Sequence, residues 1–220
     1  MKPTMIEVSV IIASYNNSKY IGRAIRSCLK QTLNREKFEV IVVDDASTDN
    51  SRDIIGVYSV VPVFLEKNGG VANASNVGIK KALGKYIIRV DSDDYINENT
   101  LLFLSEILNW NPDVGFVYAD HLRVDKEERV TERVVINTLD LLLRHGAGIM
   151  FRKQYLEAVG LYKEELRNAE DFDLIKRYIN NFNGYHLKVP LYRYRIHDTN
   201  MTKDEEERKR WEAKADENRE

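Results

Sequence analysis

Apolar residues fall into two rhythms along this chain. In EVSVIIAS (7–14), FEVIVVDD (38–45), VPVFLEK (61–67) and YIIRV (86–90) they run almost unbroken, as in strands covered on both faces. Between these runs Tyr20, Ile21, Ala24, Ile25, Cys28 and Leu29 recur at helical spacing. Val71 to Leu83 and Glu98 to Leu108 read as further helices, and Val114 to Ala119 as another strand. This βαβ rhythm predicts an α/β fold with a Rossmann-like, mostly parallel central sheet flanked by helices. Ligands of such sheets bind beyond the carboxyl ends of the strands. Polar residues gather there: Ser14-Tyr15-Asn16, Asp44-Asp45 and Asp91-Ser92-Asp93. Three polar tips are expected to converge on one rim.

After Asp120 the pattern changes. HLRVDKEERVTERVVI (121–136) is charged and reads as a hairpin or an excursion, followed by Leu139 to Arg144 and the glycine-bearing HGAGIMF. Ala169 to Ile179 is helical again, and GYHLKVPLYRYRIH (184–197) reads as two short strands around Pro190. Near the end, Glu205 with Lys209 and Glu206 with Arg210 place opposite charges at helical spacing. The expected organisation is one domain over 1–200, divided at about 120, with a small second-half subdomain. A charged helix or tail follows over 201–220.

With 220 residues, 43% of them hydrophobic, the chain can bury one substantial core. Lys plus Arg number 33 against 35 Asp plus Glu, so the net charge of -2 gives no bulk attraction to nucleic acid. An anionic ligand must be held by a local site. The lone Cys28 excludes an intramolecular disulfide and suits a buried thiol in a reducing, cytoplasmic setting. The apolar stretch in MKPTMIEVSVIIASYN is short for a signal sequence, and no run approaches the roughly 20 residues of a spanning helix. Peripheral association with the inner face of a membrane stays open, and so does a homodimer.

YIIRVDSDDY (86–95) sets an apolar run against Asp91, Asp93 and Asp94, which repel one another when ionised. A divalent cation resolves the conflict: Mg2+ or Mn2+ takes one or two protein carboxylates and completes its shell with water and phosphate oxygens. The same acids could instead cap a helix or face water. Asp44-Asp45 reads as a turn, a nucleoside-binding pair or a phosphoacceptor pocket, and Ser47 or Thr48 as a cap for the next helix. NGGVANASNVG (68–78) opens a helix whose amides suit phosphate, or forms an ordinary glycine turn.

Four blocks in order, VSVIIASYNNSKYIGRAIRSCLKQT, EVIVVDDASTDNS, NGGVANASNVGIKKALGKYIIRVDSDDY and AEDFDLIKR, resemble family 2 of the inverting nucleotide-sugar glycosyltransferases, with the GT-A fold. The resemblance runs from about Val8 to His197. It implies a nucleotide-sugar half, an acceptor half and Mn2+ or Mg2+ between them. The donor is a UDP-sugar by preference, and the acceptor a saccharide or lipid-linked hydroxyl. By the same resemblance Ala13, Ser14, Tyr15, Asp44, Asp45, Asn76, Asp91 and Ser92 lie on the nucleotide side. Asp93 and His197 are the metal ligands, and Asp171 is the catalytic base that deprotonates the acceptor. Glu170 and Gly148 are placed on the donor-sugar or acceptor side, and His145 is a further acceptor-side candidate. One departure stands out: the family pattern carries an arginine where this chain has Ser75. Two rival readings stay open, a nucleotide-sugar-binding module without transfer and a doubly wound phosphoacceptor domain built on Asp44-Asp45.

Overall fold

The computed structural model describes residues 5–144, 146–166, 169–198 and 205–217. The first half winds as β1 (Val8–Ser14), α1 (Ile21–Leu29), β2 (Phe38–Asp44), α2 (Ser51–Gly56), β3 (Val61–Phe64), α3 (Gly70–Lys81) and β4 (Tyr86–Arg89). A short β5 (Tyr95–Ile96) and α4 (Thr100–Trp110) follow. The second half comprises β6 (Val114–Val124), β7 (Val130–Val134), α5 (Leu139–Leu143), β8 (Met150–Arg152), α6 (Lys153–Val159), α7 (Glu170–Ile179), β9 (Asn183–Arg195) and α8 (Glu205–Glu217).

All nine strands belong to one sheet, ordered β3-β2-β1-β4-β8-β6-β9-β5, with β7 on the side of β6. The first four run parallel, as the crossovers through α1, α2 and α3 require. Beyond β4 the sheet turns mixed: β8 is antiparallel to both β4 and β6, whereas β9 runs parallel to β6.

Strand alternation sorts the apolar side chains onto two faces. Val10, Ile12, Val40, Val42 and Ile88 pack with Ile21, Ala24, Ile25 and Cys28 of α1 and Leu101, Leu104 and Leu108 of α4. Ile11, Ile41, Val43 and Ile87 pack with Ala72, Ala74 and Ile79 of α3 and Leu174, Ile175 and Tyr178 of α7. The result is a three-layer core, which explains the unbroken Val and Ile runs. Cys28 lies fully inside it, and burial pushes its thiol up to about 12.

The charged 121–136 stretch is a hairpin of β6 and β7. The two strands expected around Pro190 are one, β9. Proline withholds an N–H there, and the ladder shifts register between Leu187 and Pro190 instead of ending. The charged C-terminal stretch forms α8 over its described residues, packed on α7 with Ala215 buried. Among the described residues, no helix is long and apolar enough to cross a membrane.

Candidate active site

The loops leaving β1, β2 and β4 are tied together at one rim. Asn16, in left-handed backbone with φ 48°, accepts at Oδ1 from Thr48 N–H at 2.7 Å, and its own N–H donates to Ser47 Oγ at 2.9 Å. Asn17 Nδ2 donates to Ser92 Oγ at 2.7 Å. The three polar tips therefore meet, as the adjacency of β2, β1 and β4 requires. Tyr15 stands half exposed at this rim, with Ala13 partly buried and Ser14 and Ser92 buried beside it.

Asp44 and Asp45 are both buried. Asp44 Oδ1 accepts from Arg52 Nε at 2.6 Å and from Ser47 N–H at 3.0 Å, while its Oδ2 is buried without a hydrogen-bond partner. Asp45 accepts from Gly69 N–H at 2.9 Å and Gly70 N–H at 2.7 Å. The α3 N-terminus, open in the sequence between a phosphate site and an ordinary glycine turn, is capped by the protein's own carboxylate. Helix α2 likewise starts differently from expectation. Asp49, rather than Ser47 or Thr48, accepts from the Ser51 N–H, at 2.9 Å.

Asn76 also departs from its nucleotide-side assignment. Its Nδ2 donates to Tyr162 O and to Glu164 Oε1, both at 2.9 Å, and its Oδ1 accepts from Tyr162 N–H at 3.1 Å. Both amide hydrogens are spent on joining α3 to the segment before α7. The neighbouring Ser75 is buried, with Oγ unpartnered.

The acids after β4 part ways. Asp94 turns inward and accepts from Arg195 N–H at 2.7 Å; burial, then the charges of Asp93 and Asp91, push it well above the usual carboxylate range. Asp93 turns outward, its Oδ2 2.9 Å from Nε2 of His197, whose ring stacks on Tyr20 at 4.9 Å. Asp91 Oδ1 forms an ion pair with Arg89 Nε at 3.1 Å, and its N–H donates to the Tyr192 hydroxyl at 3.1 Å. Desolvation, with Asp93 and Asp171 adding to it against Arg89, pushes Asp91 up to about 6.

A carboxylate oxygen and an imidazole nitrogen that face one another suit Mn2+, and Mg2+ less well. No group of three or more His, Cys, Asp or Glu side chains gathers for a metal among the described residues. The Asp93–His197 pair fits an ion that draws most of its ligands from water and substrate. Arg195 supports this pair from behind: its guanidinium donates to Asp93 O at 2.9 Å and to Glu128 Oε1 at 3.0 Å. Glu128, at the tip of the β6-β7 hairpin, also pairs with Arg23 at 3.1 Å. None of Arg23, Glu128 and Arg195 is foreseen in this role from the sequence.

Asp171 opens α7, where acids are favoured by the helix dipole. Its Oδ2 accepts from Arg89 Nη2 at 2.7 Å, and its side chain remains 22% exposed. Gly146 lies against it: a Cβ at position 146 would overlap the Asp171 carboxylate. Gly148 has φ 78° and faces the Tyr192 ring, while its N–H donates to Arg89 O at 2.8 Å. Glu170 is buried 4.0 Å from Arg89 Nη1. Burial, then the Asp171 charge, pushes Glu170 up to about 7 against the pull of Arg89. His145 lies outside the described residues. Arg89, which pairs with Asp91, Glu170 and Asp171, is missed by the sequence reading; its one signal is a charge set in the otherwise apolar strand YIIRV.

Residues 9–160 match the family model described as Glycosyl transferase family 2. The chain belongs to this family. It is 31% identical over 211 residues to an uncharacterized glycosyltransferase of Rickettsia typhi, covering 89% of this chain and 65% of that protein. It is 43% identical over 102 residues to the poly(ribitol-phosphate) beta-N-acetylglucosaminyltransferase TarS of Staphylococcus aureus, covering 44% of this chain and 18% of TarS. The crystal structure of TarS residues 1–349 in complex with UDP-GlcNAc superposes with a TM-score of 0.77 at 28% identity, over 90% of this chain and 61% of that one. A mannosyltransferase from Pyrobaculum calidifontis, in complex with GDP-Man and Mn2+, shares the fold with a TM-score of 0.69 at 20% identity, over 88% of this chain and 58% of that one. The expected GT-A architecture of this family 2 chain is therefore shown. The chain spans less than two thirds of the length of these relatives.

Proposed function

We propose that the chain transfers a sugar from a nucleotide diphosphate, UDP-linked by preference, to a hydroxyl of a saccharide or lipid-linked acceptor, with inversion at the anomeric carbon. One observation carries the reading: Arg89 bridges Asp171 and Asp91 at 2.7 and 3.1 Å, so a base carboxylate sits beside the acids of the nucleotide rim. Similarity to TarS, whose structure holds UDP-GlcNAc, supports UDP-GlcNAc as the first donor to try.

Asp171 accepts the proton of the acceptor hydroxyl as that oxygen attacks the anomeric carbon, and its partial exposure leaves the approach open. Asp93 and His197 would hold Mn2+ or Mg2+. When bound, that ion offsets charge on the departing diphosphate. Ser14, Tyr15 and Ser92 line the rim where the nucleotide lies, and Asp44, the register partner of Ser14, is buried beside them. Glu170 and Gly148 back the donor-sugar side. No covalent sugar-enzyme intermediate forms, because the single displacement needs only one base.

A nucleotide-sugar-binding module without transfer is the second reading, favoured by Ser75 in place of the arginine. The buried, hydrogen-bonded Asp44 and Asp45 argue against a phosphoacceptor domain. Turnover of a panel of nucleotide sugars, with Mn2+ and with a chelator, separates these readings. Asp171→Asn is expected to lower transfer by about 10³-fold while leaving UDP binding within a few-fold. Wild-type transfer by that variant refutes the base assignment.

A further inference from the structure

We propose that Arg89 is a positioning residue for the reaction: reaching in from β4, it orients the Asp171 carboxylate and fixes it beside Asp91. This rests on the transferase reading above. Arg89 is 6% exposed and faces Asp91, Glu170 and Asp171 at 3.1, 4.0 and 2.7 Å. A buried guanidinium survives only among such partners, and the buried carboxylates need it in turn. Its own placement is rigid. Strand β4 lies between β1 and β8, the Arg89 carbonyl accepts from Gly148 N–H at 2.8 Å, and the guanidinium lies over the Tyr162 ring at 5.4 Å.

The planar fork then has one direction to aim, and it aims Nη2 at Oδ2 of Asp171. Binding one carboxylate oxygen leaves the other for the acceptor hydroxyl. Gly146 permits this arrangement, since a side chain there would displace the Asp171 carboxylate. Arg89 Nε and Nη1 are buried without a hydrogen-bond partner and face Asp91 and Glu170 only as ion pairs, so the guanidinium is held by the acids around it and not by a saturated bonding network.

The test compares Arg89→Lys, Arg89→Gln and Arg89→Gln/Glu170→Gln with wild type. Steady-state transfer from UDP-GlcNAc, or from whichever donor the panel identifies, is measured together with UDP binding and melting temperature. Arg89→Gln is expected to lower kcat by about 100-fold, with the donor KM and UDP affinity within about three-fold. Arg89→Lys keeps the charge but not the fork and is expected to lower kcat about 10-fold. The double variant removes one of the carboxylates left uncompensated, so it should regain melting temperature without regaining kcat. Recovery of kcat in the double variant overturns the proposal, because Arg89 would then only balance charge. A loss confined to KM overturns it too. Should Arg89→Gln not fold, a wild-type kcat in Arg89→Lys overturns it. Wild-type protein that turns over no donor refutes the transferase reading and this proposal with it, whereas wild-type turnover with unimpaired Arg89→Gln refutes this proposal alone.

Discussion

Replacing Glu170 by Gln should stabilise this protein, and the gain should grow with pH. Glu170 is 5% exposed, its Oε2 has no hydrogen-bond partner, and its nearest positive charge is Arg89 Nη1 at 4.0 Å. Burial, and then the neighbouring Asp171, push its carboxyl from the ordinary 4.5 up to about 7. Between those two pH values the unfolded chain releases the Glu170 proton while the folded chain keeps it. The contribution of Glu170 to folding stability therefore falls as pH rises through the window and levels off above about 7. That upward displacement corresponds to a cost of about 3 kcal/mol at pH 8. Glutamine has nearly the shape of the neutral acid and cannot ionise, so the variant escapes this cost. Urea denaturation of both proteins at pH 4.5, 6, 7 and 8 measures it, with the two expected to coincide at the lowest pH and to diverge above it. A difference that is constant with pH, or that makes the variant less stable at pH 8, refutes the reasoning. The chain carries a buried acid at this energetic disadvantage between Arg89 and the proposed base, which is where strain of this kind serves chemistry.

His197→Ala leaves Asp93 as the sole side chain of the proposed metal pair, so the Mn2+ concentration for half-maximal activity should rise about 10- to 100-fold, read by metal titration of the chelated enzyme. An unchanged titration curve removes His197 from the metal site. Gly146→Ala places a methyl group where the Asp171 carboxylate lies, so kcat should fall about 100-fold with UDP binding preserved, read by paired kinetics and calorimetry. Loss of UDP binding in that variant would show that residue 146 serves the nucleotide instead. Leu104→Ala, far from the rim in the face packed by α1 and α4, should cost about 2–5 kcal/mol in a denaturant melt and leave kcat of the folded fraction unchanged.

The convergence of the strand tips was legible because it follows from topology: parallel strands with unbroken apolar runs send all their carboxyl ends to one rim, whatever the loops do. Ser14, Asp44 and Asp91 could be placed together on that ground alone. The fate of each carboxylate could not. Asp93 and Asp94 are adjacent, yet one faces His197 and the other is buried on the Arg195 N–H, and both partners lie far along the chain. Asp45 reads as a ligand-binding acid until the glycine amides of α3 are brought beside it by the packing of α3 on β1 and β2. Arg89 shows the same limit in reverse. Its charge was visible in YIIRV, but only the folded positions of α7 and the Gly146 segment reveal why a strand would bury it. Pro190 divides the pattern into two short strands in the sequence, whereas β9 runs through it and absorbs the missing N–H as a shift of register.

The most direct measurement of the central claim is anomalous diffraction from crystals of the protein soaked with Mn2+ and UDP. One manganese peak is predicted within coordinating distance of Asp93 and His197, with a UDP lying along the Ser14, Asp44 and Asp91 rim. Manganese bound away from that pair, or UDP seated on another face of the sheet, would contradict the account.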